Sequence, residues 1–93
     1  MQKAVEKFIN NLQDISDPDY GDFMRKANVY LNDLKTDLTP MKQDVRAKIF
    51  EIQLYLQFIS SWEIEPTRRR IIRDALYLND LLKSHDEVLF PAG

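Results

Sequence analysis

Apolar residues recur along this chain at steps of three and four, and the recurrence breaks close to three prolines. In the first segment Ala4, Val5, Phe8, Ile9, Leu12 and Ile15 fall within one wide stripe. In the second, Tyr20, Phe23, Met24, Ala27, Tyr30, Leu31, Leu34 and Leu38 do the same. The last stacks Ile71, Ala75, Leu78 and Leu82 on one face, with Ile72 and Leu76 at its flanks. Pro18, Pro40 and Pro66 separate these segments. A proline suits a first helical turn and pushes its predecessor out of helical geometry. The pattern predicts helices over about 2–15, 19–37, 40–62 and 66–84. No segment alternates with a period of two, so no strand is expected. Short connections favour antiparallel neighbours, giving an all-α, antiparallel up-down four-helix bundle as a single domain over 1–93. Residues 86–93, DEVLFPAG, are expected to form a short C-terminal tail whose Val88, Leu89 and Phe90 fold back on the bundle.

The third segment differs from the others. Val45, Ile49, Ile52, Leu56 and Ile59 make one stripe, and Phe50, Leu54, Phe58 and Trp62 make a second, with Tyr55 beside it. Arg46, Gln53, Gln57 and Ser60 leave only a narrow polar edge. The plainer reading is a helix buried on two sides, because aromatic stripes usually mark core. The sharper one takes Tyr55, Phe58 and Trp62 to the rim as a docking patch, since aromatics and arginine dominate interface hot spots.

Composition narrows the classes. Thirteen Lys and Arg against fifteen Asp and Glu give a net charge of -2. A general polyanion binder carries a basic excess, because its affinity comes from counterion release, so nucleic acid is not an expected partner. A chain of 93 residues buries roughly 60–65% of its unfolded surface around one small core. The chain has no cysteine, which fits a reducing cytoplasm. The opening MQKAVEKFINNLQD mixes charges with apolar residues, unlike a signal peptide, and no run approaches the ~20 apolar residues of a membrane span.

Chemistry is sparse. His85, the sole histidine, sits at the expected end of the last helix, where an imidazolium suits the dipole better than it suits a base without a nucleophile. DISDPDYGD fails the calcium-loop pattern: counting from Asp17, position five is Gly21 and position twelve is Asn28 rather than Glu. Its carboxylates read as complements to a helix start. Glu63 and Glu65 flank Ile64 in a connection. No glycine-rich phosphate loop, metal-binding helix motif or nucleophile triad is present. A non-enzyme without a metal or cofactor is expected.

The remaining anomaly is EPTRRRII, residues 65–72. On a helix beginning at Pro66 the three arginines occupy the first turn, where positive charge opposes the macrodipole. Helical spacing puts Arg68 along the core stripe and turns Arg69, Arg70 and Arg73 outward with Tyr77. Asp74, one turn after Arg70, is positioned to pair with it. This is either a solvated face or an arginine–aromatic surface close to Trp62. On the second view the candidate partner-binding residues are Tyr55, Phe58, Trp62, Arg69, Arg70, Arg73, Tyr77 and Phe90.

ISDPDYGDFMRKANVYLNDL, an aromatic-rich helix reaching Trp62, and PTRRRIIRDALYLNDLL together resemble the immunity proteins of pediocin-like bacteriocins, the enterocin A immunity family. The likeness covers about residues 3–85 in length, helix order and the Asp17-Pro18-x-Tyr20 turn. The resemblance implies a cytoplasmic four-helix bundle in a Gram-positive bacterium. It implies protection against a small pore-forming peptide whose receptor is the mannose phosphotransferase permease, by engaging the receptor–bacteriocin complex from the cytoplasmic side. It also implies that the C-terminal half, here 47–93, sets which peptide is resisted. Peripheral contact with the inner membrane leaflet fits, at about 1 kcal/mol per basic residue near an anionic surface. Two other classes compete: a helical adaptor or secretion chaperone, and a nucleic-acid-binding regulator built on Pro66 to Arg73.

Overall fold

A computed structural model describes residues 2–16, 18–59 and 63–89. It is an all-α four-helix bundle: α1 spans Gln2–Gln13, α2 Tyr20–Leu38, α3 Gln43–Leu54 and α4 Ile64–Leu89, and α3 runs on into a π-helical turn over Tyr55–Ile59. Helix α1 packs on α2 and α4, and α3 packs on α4 and, more lightly, on α2. Among the described residues no strand occurs, and no helix is long and apolar enough to cross a membrane.

The stripes form the core as their spacing demands. Val5, Phe8 and Leu12 of α1 and Phe23, Ala27, Leu31, Leu34 and Leu38 of α2 are buried in one core. Val45, Ile49, Ile52 and Leu56 of the third segment and Ile71, Ala75, Leu78 and Leu82 of α4 complete the same core. Ile15 is also buried although α1 has ended at Gln13; the chain turns there, with Ile15 N–H donating to Leu12 O. The side chain of Ile59 lies outside the described residues.

Several boundaries differ from the sequence reading, each for a local reason. Helix α2 starts at Tyr20 because Asp19 is extended and its carboxylate accepts the Asp22 N–H at 3.1 Å, the N-cap role that suits aspartate. Helix α3 starts at Gln43, not near Pro40: Thr39 is extended, as expected of a residue before proline, Lys42 is the extended N-cap, and Met41 is partly buried against the core. Helix α4 starts two residues before Pro66. Glu63 O accepts the first backbone bond, from Thr67, so Pro66 falls within a first turn whose N–H groups need no helical acceptor. It also runs on through Leu89, so residues 86–89 are helical rather than part of a tail. His85 therefore precedes the helix end by a full turn, and its side chain, like Phe90, lies outside the described residues.

Candidate docking surface

Moving the start of α4 to Ile64 changes the meaning of the arginine triplet. Glu65 now occupies the first turn, and Arg68, Arg69 and Arg70 fall in the second, where the macrodipole penalty has faded. The expected electrostatic conflict at the helix start is therefore absent, and the three arginines go to three different places.

Arg68 turns towards α1. Its guanidinium donates to Gln13 O at 3.0 Å and Ile15 O at 2.7 Å, pairs with Glu65 at 3.5 Å and lies 5.5 Å from the Phe23 ring centroid. Gln13 is the last residue of α1, so Arg68 satisfies carbonyls that the helix end leaves without partners. The open cleft beside it is lined by Ser16, Tyr20, Glu63 and Pro66 together with Arg68, whose two terminal nitrogens already donate to these carbonyls.

Arg70 turns towards α3. Its Nε donates to Asp74 Oδ2 at 3.2 Å, and its guanidinium stacks 4.9 Å from the Tyr55 centroid. Asp74 is buried, and its other oxygen faces the Lys48 ammonium at 3.4 Å. Lys48 also pairs with Glu51 at 3.0 Å and lies 4.7 Å over the Tyr77 ring. Burial alone would pull the Lys48 pKa down, but the Glu51 and Asp74 carboxylates outweigh it and hold it above the ordinary 10.5. The result is a polar seam between α3 and α4 in which a buried carboxylate is held by two cations.

Arg69 and Arg73 point away from the bundle. Both are exposed, and among the described residues neither is engaged in a hydrogen bond or ion pair. Phe58 is 76% exposed. Phe58 belongs to the same π-helical turn as Tyr55, three residues further along the chain. Tyr77 is half exposed, with Lys48 over its ring.

The eight candidate residues thus divide. Tyr55, Arg70 and Tyr77 are built into the seam; Phe58, Arg69 and Arg73 are open to a partner; Trp62 and Phe90 lie outside the described residues. Sequence reasoning found the Arg70–Asp74 pair but missed Lys48 and the burial of Asp74, because nothing local marks a contact twenty-six positions apart (74 − 48). Of the two readings of the second stripe of α3, the plainer one, burial on both sides, does not hold: Phe50 is 57% exposed and Phe58 more so, with Leu54 half-buried between them. The other helices cover α3 on its inner face and its two flanks, and leave the outer face to solvent.

Among the described residues no group of three or more Asp, Glu or His converges to hold a metal ion. No family model matches the chain, and no curated protein and no solved structure matches it.

Proposed function

We propose that this protein is an immunity protein against a pediocin-like bacteriocin. It acts by binding and performs no catalysis. On this reading it engages the mannose phosphotransferase permease carrying its bound peptide, from the cytoplasmic side and close to the inner membrane leaflet. The support is the resemblance carried by residues 15–34 and 66–82 together with the four-helix architecture that resemblance implies. The carrying observation is that Phe58, on the turn that follows α3, and Arg69 and Arg73, on α4, all stand exposed, offering apolar area and two free guanidinium groups. That composition suits a protein surface rich in carbonyl or acidic groups.

Expression in a sensitive Gram-positive host, challenged with a panel of pediocin-like peptides, tests the reading. Resistance to at least one peptide is expected. No gain of resistance to any of them, with the protein well expressed, refutes it. The double substitution Arg69→Ala, Arg73→Ala should leave the fold within ~0.5 kcal/mol of the parent and sharply reduce protection. Arg70 is left out of that probe because its removal would disturb Asp74.

A further inference from the structure

The outer face of α3 carries a dimple bounded by Gln43, Arg46, Ala47 and Phe50. All four are exposed, and their spacing of i, i+3, i+4 and i+7 is that of the hole which receives a side chain from a second helix in a coiled coil. Leu54 continues the seam one turn further, so Ala47 and Leu54 stand as one set of core positions, Gln43 and Phe50 as the other. The two flanks of this seam carry opposite charge. Arg46 lies on the side facing α2, where Lys35 reaches Gln53, and Asp44 and Glu51 lie on the side facing α4, where Lys48 pairs with Glu51 at 3.0 Å and leaves one net negative charge.

We infer that the outer face of α3 pairs with the same face of a second copy of this chain, the two α3 helices running parallel about a two-fold axis. A parallel two-fold sets the basic flank of each copy against the acidic flank of the other. Arg46 then stands five positions before Glu51 of the second copy, the spacing of charge pairs across a parallel two-stranded seam, and the pair forms twice. An antiparallel arrangement sets Glu51 beside Asp44 of the second copy, acid against acid. The small Ala47 allows the helices to approach, and Phe50 supplies the apolar area. A seam of two turns covers far less than the ~800 Å² per partner of a stable interface, so the pairing is weak and populated at high local concentration. The inference does not depend on the immunity reading, because Arg69 and Arg73 lie on another helix and take no part.

Sedimentation equilibrium of the intact chain provides the test. The mass is expected to be that of the 11.0 kDa monomer at about 10 µM and to rise towards the dimer at about 1 mM. Phe50→Asp should weaken the association by at least about tenfold, and Arg46→Glu should weaken it less. Orientation is read from an introduced thiol, which is unique because the chain has no cysteine. Gln43→Cys should form a disulfide-linked dimer on mild oxidation faster than Lys7→Cys on the exposed side of α1. A monomeric mass at about 1 mM overturns self-pairing and leaves the seam to a helix of another protein. Association that survives Phe50→Asp overturns the seam, and Gln43→Cys linking no faster than Lys7→Cys overturns the parallel arrangement.

Discussion

The two faces of α3 have nearly the same apolar content and opposite surroundings. Its inner stripe of Val45, Ile49, Ile52 and Leu56 is buried, whereas its outer stripe of Phe50, Leu54 and Phe58 is largely uncovered. On the flank between them, a charged seam joins α3 to α4 through Lys48, Asp74 and Arg70. Hydrophobicity therefore does not decide which face is core. What decides it is where the other three helices can reach, and the outer stripe is left over after the core is filled.

The largest test of this contrast is a pair of truncations within two residues of each other. Ile52→Ala empties a fully buried site and should cost ~2–5 kcal/mol in chemical denaturation. Phe50→Ala should change stability by less than about 1 kcal/mol, because over half of the ring is already in water. A Phe50 loss as large as the Ile52 loss would mean that something covers the outer face.

The charged flank should respond more moderately. Arg70→Ala removes a charged donor from a buried carboxylate, and a loss of ~1–3 kcal/mol in the same assay is expected. The double substitution Arg69→Ala, Arg73→Ala removes more charge with almost no loss, which separates structural from available arginines on one helix. If all three positions behaved alike, the division between structural and available arginines would be wrong.

The smallest effect is on pH dependence. The Lys48 pKa is raised in the folded state above its ordinary 10.5, so the folded chain holds this proton more tightly than the unfolded chain does. The resulting stabilisation is fully present below 10.5 and is lost as pH rises through the higher folded value. Thermal unfolding followed from pH 8 to 11 should show a decline at the alkaline end that is smaller in Lys48→Met. An identical decline in both proteins would assign it to other groups.

Much of this is legible in the sequence. The stripes of α1, α2 and α4 contain every buried apolar residue of those helices, because each has a single apolar face, although Ala4, Ile9, Tyr20, Met24 and Tyr30 on them are only half-buried and Leu76 at the flank is exposed. Helix α3 has two apolar stripes, and periodicity cannot rank them; only the packing of the bundle does. The start of α4 was misplaced because Pro66 is compatible with several positions of a first turn, and shifting it by two residues moved the triplet out of reach of the helix dipole. Arg68 was placed along the core from its angle on the helix, but its acceptors belong to a turn more than fifty residues earlier. Among the candidate residues, angle alone distinguished outward from inward and could not say which outward side chains a neighbouring helix would hold.

The tie made by Arg68 also bears on how this sequence can drift. Both of its principal acceptors are main-chain carbonyls, so the joint between the first turn of the molecule and its last helix is indifferent to which side chains occupy positions 13 and 15, apart from the apolar demand at Ile15. A lineage can rewrite the surface of that turn freely while the arginine stays fixed. This particular tie therefore needs no matched pair of substitutions between the two halves of the chain, whereas the contacts of Tyr20 with Thr67 and of Phe23 with Arg68 depend on side chains from both.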